Sequence, residues 1–189
     1  MPRTKVDDEQ LLNALTQVFA QHGFEGASLS LMTQATGLER ASLYHRFPQG
    51  KTQMAQAVLN HVGDYFASYL LAPLSEAGDP KARLRKTAKR LNTFYAGGDG
   101  SCLLDTLSLN ADPSAIRAAT GQLMQAWLGA FAHIAQESSI SRAGARRRAQ
   151  RALAQFQGSL ILARATGDRK IFTQMLRELP TILLTSEND

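Results

Sequence analysis

The segment from Ser28 to Lys51, SLSLMTQATGLERASLYHRFPQGK, can fold in few ways, because a glycine separates two short amphipathic runs and a proline closes the second. Ser28 is placed to cap a first helix in which Leu29, Met32 and Ala35 share a face. Gly37 stands where a left-handed residue ends that helix, and Leu38 is the expected buried residue of the turn. A second helix begins near Glu39, with Leu43 and Phe47 on its inner face, and Pro48 stops it. Two short helices around a tight glycine turn make a helix-turn-helix, a device that lays its second helix in the DNA major groove. The outward side of that helix carries Arg40, Ala41, Ser42, Tyr44, His45 and Arg46. These side chains can donate to base edges and phosphate oxygens, and Ala41 is small enough to permit close approach.

Upstream, Asp8 to Phe24 reads as an amphipathic helix with Leu11, Leu12, Leu15, Val18 and Phe19 on one side, ending in HGF. The succession HGF, A-S, ATGL, SLYHRF, K and M over Asp8 to Leu59 resembles the amino-terminal domain of TetR-type transcriptional regulators, and FPQGK is similar to their LmrA/YxaF-like branch. The resemblance implies that Ser28 and Ser30 approach phosphate, that Arg40, Ala41, Ser42 and His45 face bases, and that Tyr44 and Lys51 hold the DNA backbone. Lys51 would do so at a helix start, where free amides already favour an anion. Two positions depart from the family pattern. Thr33 stands where a small alanine is usual, and Glu39 where a serine or threonine often caps the recognition helix, so that a carboxylate suits the helix dipole but repels DNA. Taken without the resemblance, Tyr44 also reads as half-buried packing and His45 as a solvated surface histidine.

Charge does not carry the nucleic-acid reading. The chain has a formal net charge of +5, yet residues 1–61 are neutral, with Arg3, Lys5, Arg40, Arg46 and Lys51 against Asp7, Asp8, Glu9, Glu25 and Glu39. The surplus lies at Lys81 to Arg90 and Arg142 to Arg151, stretches that read as solvated helix faces, although Arg3 and Lys5 can form an arm reaching phosphate or minor groove. The lone Cys102 permits no internal disulfide, no apolar run is long enough to span a bilayer, and MPRTKVDDEQ has no secretory apolar core. A cytoplasmic chain that makes no membrane contact is expected.

The remaining sequence reads as helix throughout, with no strand, so the fold class is all-α: a helix-turn-helix head, residues 1–50, joined to a helical effector-binding and dimerisation body, residues 51–189. One helix runs from Lys51 towards Leu71 with a break near Pro73. Asp79-Pro80 opens another that ends at Gly97-Gly98. A short helix covers Cys102 to Asn110, Asp112-Pro113 or Ser114 starts one reaching Glu137, and Ser141 to Ala165 and Asp168 to Thr185 supply two more, with Pro180 implying a kink in the last.

Phe66, Tyr69, Phe94, Tyr95, Met124, Trp127, Phe131 and Phe156 are spread over several of these helices and read either as ordinary core or as the wall of a ligand cavity. The family resemblance implies a small-molecule effector, with Trp127 and Tyr95 as anchors and Thr93, Ser101 and Asn110 as polar contacts. On the last two helices, Leu153, Phe156, Gln157, Leu160 and Ala163 form one apolar stripe and Ile171, Met175, Leu176, Leu179 and Leu183 another, with small residues at Ala154, Gly158 and Ala165. The resemblance implies a homodimer through these helices, of which Leu153, Phe156, Gln157, Leu160, Met175, Leu179 and Leu183 are the candidate interface. A dimer suits a reader of pseudo-palindromic double-stranded DNA.

Catalysis finds no support. Gly50-Lys51-Thr52 lacks the glycine that a phosphate-binding loop needs at position 45, where a histidine stands. His22, His45, His61 and His133 have no paired metal spacing, and no G-x-S-x-G element occurs. No enzyme activity, cofactor or metal is expected. The reading is a dimeric, sequence-specific transcriptional regulator, a repressor released by a small apolar or aromatic effector. The alternative is a helical protein-interaction module whose head does not bind DNA.

Overall fold

Apolar residues three and four apart coil the chain into helices almost everywhere, and the computed structural model, which describes residues 7–108, 114–138 and 140–185, has no strand among them. Arg3, Lys5, Asn110 and Asp112-Pro113 lie outside the described residues. The chain divides into two compact units, the first formed by Met1–Asp64 with Leu103–Leu123 and the second by Tyr65–Cys102 with Met124–Asp189.

In the first unit, α1 (Asp8–Gly26) buries Leu11, Leu15, Val18, Phe19 and Phe24, while Leu12 is only half-buried. Gly23 breaks its helical path with φ 67° and ψ −175°, a conformation open to glycine, and this bend sets Phe24 parallel to Phe19 at 6.4 Å between ring centres. α2 (Leu29–Thr36) is capped by the Ser28 hydroxyl, which accepts from the Leu31 amide at 3.3 Å, and it stops at left-handed Gly37. Its inner face corrects the expectation for Ala35, which is exposed; Thr36 is buried instead, its hydroxyl donating to the Met32 carbonyl at 2.7 Å. Two successive steps of three fall behind a 3.6-residue turn, whereas 29, 32 and 36 stay in line. Leu38 is half-buried where full burial was expected. α3 (Arg40–Arg46) turns Leu43 inward, and Phe47 follows it into the core. α4 (Lys51–Tyr65) buries Met54, Ala55, Val58, Leu59 and Val62.

The expected continuation of α4 towards Leu71 changes form: Phe66–Leu71 is a π-helical segment that buries Phe66 and Leu70, followed by a 3-10 turn, Ala72–Ser75, holding Pro73. α5 (Pro80–Phe94) starts as the sequence indicates, with the Asp79 carboxylate accepting from the amides of Lys81 and Ala82. It ends before the expected Gly97-Gly98, which form a separate 3-10 turn, Ala96–Gly98. Gly98, at φ 111°, packs so closely that a Cβ would sit 3.0 Å from that of Phe172. The short α6 (Leu103–Ser108) packs on α1 within the first unit, with the Thr106 hydroxyl donating to the Ala20 carbonyl. α7 (Ser114–Gln136), α8 (Arg142–Thr166) and α9 (Lys170–Leu184) complete the order, and Pro180 is buried inside α9. Within the second unit α9 packs against both α8 and α5. There the buried Arg83 guanidinium donates to the Leu74 carbonyl at 2.7 Å and pairs with Glu137. Among the described residues no helix is long and apolar enough to cross a membrane.

Candidate nucleic-acid interface and aromatic core

The first unit brings the predicted DNA contacts together on polar, accessible surface. Ser28, Ser30, Arg40, Ala41, Tyr44 and His45 are exposed and Ser42 and Lys51 half-buried, while Leu43 and Phe47 anchor α3 from behind. Tyr44 is a large ring left 49% exposed, against a background where apolar bulk is mostly covered. Its inner edge rests on Gly50, at 3.4 Å from where a Cβ would stand, so the ring is supported yet open. Lys51 begins α4 and is held from two sides: its ammonium lies 4.6 Å from the centre of the Phe24 ring and 3.4 Å from the Glu25 carbonyl. A cation fixed at a helix start, against the helix dipole, is poised for an anion. The Arg46 guanidinium is paired with Asp8 of α1 at 2.6 Å. Glu39 occupies the N-cap of α3 without a side-chain capping bond. Between the end of α2 and the start of α3 lies an open groove of about 560 Å³, with Ser30, Gln34 and Arg40 on its walls.

Residues 11–58 match the family model described as bacterial regulatory proteins, tetR family. These residues form an amino-terminal DNA-binding domain of the TetR family. It is similar to the HTH-type transcriptional regulator LmrA of Bacillus subtilis, 23% identical over 161 residues that cover 82% of this chain and 85% of that one. It is also 20% identical to the uncharacterized HTH-type transcriptional regulator YxaF of the same organism over 181 residues, 93% of this chain and 94% of that one. Both matches agree with the branch suggested by the FPQGK variant. Among solved structures, a TetR transcriptional regulator from Legionella pneumophila shares the fold at a TM-score of 0.84 and 17% identity, covering 97% of this chain and 100% of that one. The TetR-family regulator CifR, a cysteine mutant complexed with 26 bp double-strand operator DNA, does so at 0.77 and 20%, covering 97% and 98%. The TetR-type DNA-binding helix-turn-helix thus lies in the first unit.

In the second unit the aromatic residues named from the sequence do meet, ring against ring. Trp127, Phe131 and Phe156 are fully buried, Phe66 and Tyr95 nearly so, Tyr69 and Met124 half-buried, and Phe94 reaches the surface. Trp127 sits edge to face with Phe66 at 4.6 Å, Phe156 at 4.9 Å and Phe131 at 5.9 Å. Phe172, which sequence reasoning missed, joins through Phe156 and Tyr95. It is an isolated aromatic in an aliphatic stripe, and nothing local marks it as a neighbour of Trp127. The Trp127 indole N–H is buried with no hydrogen-bond partner among the described residues. Of the suggested polar contacts, Thr93 is exposed and bonded to its own helix at Lys89, and Ser101 accepts from Arg164.

Cys102 is buried and receives two hydrogen bonds, from the Tyr95 hydroxyl at 3.6 Å and from Gln157 Nε2 at 3.3 Å. Burial first, and the neighbouring thiol second, push the Tyr95 phenol well above its ordinary value. In the unfolded chain that phenol ionises near pH 10, while the folded chain keeps its proton, so the folded state is fully favoured below about pH 10 and loses ground as pH rises towards the folded value. Tyr95→Phe is expected to flatten this alkaline decline when urea unfolding is followed between about pH 9 and 11. Parallel curves for the two proteins would contradict it.

The residues named for the dimer interface are turned inward. Leu153, Phe156, Leu160, Met175, Leu179 and Leu183 are buried within the chain, where α8 meets its neighbours, and Gln157 is engaged with Cys102. What α8 leaves outside is a different stripe: Ala154, Ile161, Leu162 and Ala165 around a half-buried Gly158, with Ile161 47% and Leu162 52% exposed. These five positions, at i, i+4, i+7, i+8 and i+11, fall on one helix face.

Proposed function

We propose that this chain is a homodimeric repressor in the cytoplasm that reads a pseudo-palindromic operator and leaves it when a small apolar or aromatic effector binds the body. The observation that carries the operator reading is α3 itself: a short helix anchored by Leu43 and Phe47, with Arg40, Ser42, Tyr44 and His45 on its open side and Lys51 fixed beyond its end. Arg40 and His45 are suited to base edges, Ser42 to either partner, and Tyr44 and Lys51 to phosphate.

Two further features support the regulatory half. The exposed α8 stripe combines small residues that admit a second helix with two large apolar side chains that need cover, and a second copy of α8 supplies both. The aromatic cluster runs from the surface at Phe94 and Tyr65, stacked at 5.6 Å, through Phe66 to Trp127, whose unsatisfied N–H can donate to a ligand acceptor. Phe66 directly follows the last residue of α4, whose first residue is Lys51. A ligand that displaces Phe66 therefore acts on the helix that carries a DNA contact. Repression then needs only that the effector bind one arrangement better than the other, which requires effector and operator to oppose each other reciprocally.

Leu162→Lys with Ile161→Lys places two charges on the α8 stripe and is expected to convert the protein to monomer in sedimentation while leaving its helical circular dichroism unchanged. Operator affinity should fall by about 100-fold or more, because two linked half-site contacts become one. A variant that stays dimeric would remove this stripe from the interface. Unchanged operator affinity in a monomer would remove the two-half-site reading.

A further inference from the structure

Arg85, Ala88, Lys89 and Asn92 line one face of α5, and across from them Thr173, Leu176 and Arg177 line α9, enclosing a groove of about 510 Å³ wholly within the second unit. That volume is in the range of small-molecule sites. Three other cations of α5 are engaged: Arg83 with Leu74 and Glu137, Lys86 with Glu76, and Arg90 with the Tyr69 carbonyl and ring. Arg85, Lys89 and Arg177 instead make no ion pair or side-chain hydrogen bond among the described residues. Glu178, the neighbouring acid on α9, is hydrogen-bonded to Gln174. Arg85 and Lys89, four apart on one helix, repel each other, and Arg177 adds a third positive charge across the groove, so the arrangement favours an anion between the helices. The floor is suited to an organic body: Leu176 is buried, and the Asn92 amide has a shielded, unsatisfied oxygen that a small rotation can present to a ligand.

We infer that this groove binds a small phosphomonoester, the dianion lying between Arg85, Lys89 and Arg177 and its organic part against Ala88 and Leu176. A phosphomonoester carries nearly two charges near neutral pH and offers three oxygens to the two guanidinium forks, which a single carboxylate does not. The site is separate from the aromatic core and does not depend on DNA binding.

Isothermal titration of the full chain with phenyl phosphate, at fixed ionic strength and in a buffer free of phosphate, tests it. Saturable binding of one ligand per chain is expected, weakened at least about 10-fold by Arg85→Gln with Arg177→Gln, several-fold by Lys89→Gln, and not at all by Arg146→Gln, an exposed cation elsewhere on α8. Benzoate should bind more weakly than phenyl phosphate, and inorganic phosphate should compete. The three groove cations are exposed, so the variants should keep the wild-type melting temperature. Absence of saturable binding, equal binding of benzoate, or binding that survives the Arg85→Gln and Arg177→Gln pair would each overturn the assignment.

Discussion

Trp127→Ala is expected to lower the stability of the chain by about 3–5 kcal/mol, a loss read as a shift of the urea midpoint at unchanged slope. Trp127 is the largest fully buried side chain and touches the rings of Phe66, Phe131 and Phe156 at once. Removing it takes away its own burial and leaves three aromatic edges facing a void that rigid neighbours cannot close. Trp127→Phe separates the two things this residue does. It retains much of the ring packing and deletes an indole N–H that has no hydrogen-bond partner among the described residues, so its cost should be less than half that of the alanine variant. A loss below about 1 kcal/mol for Trp127→Ala would mean that the cluster is loosely filled and its rings are not supporting one another.

Tyr44→Ala and Lys51→Ala should each weaken operator binding by about 10-fold while leaving stability within roughly 1 kcal/mol. Both side chains lie on accessible surface, so neither change should open the core. Lys51→Ala should reduce the slope of log affinity against log salt by about one per protomer, the mark of a lost phosphate contact, and weaken all sequences alike. Tyr44→Phe distinguishes a hydroxyl donating to phosphate from a ring packed on Gly50: loss of affinity assigns the first, retention the second. His45→Ala should relax discrimination at one position of the half-site without changing the salt slope. An unchanged slope for Lys51→Ala would show that its ammonium serves only Phe24 and the Glu25 carbonyl.

The head was legible because its determinants are local. The Ser28 cap, the Gly37 stop and the spacing of Leu43 and Phe47 each act within a few residues, and each is where the sequence places it. Thr36 in place of Ala35 shows the limit of counting: a polar residue takes the inner position because its hydroxyl is satisfied by its own helix, so burial costs little. Non-local choices were harder. Nothing near Leu103 indicates that α6 packs on α1, and an apolar stripe such as Leu153 to Leu160 announces that it will be covered without saying by what. Within the chain α9 supplies cover for α8, and the less apolar stripe through Gly158 and Leu162 is left outside. The change from α4 to a π-helical segment at Phe66, which buries Phe66 and Leu70, begins well before the break that Pro73 marks in the sequence.

The central claim, that α3 reads a specific operator as one of a symmetric pair, is tested most directly by selecting retained sequences from random-sequence duplex DNA with the purified protein at moderate salt. The account predicts recovery of a pseudo-palindrome whose half-sites are separated by about one helical turn, and loss of that enrichment in the Ile161→Lys, Leu162→Lys protein. Retained DNA with no common sequence would contradict it and would turn attention to the head as a docking surface for another protein.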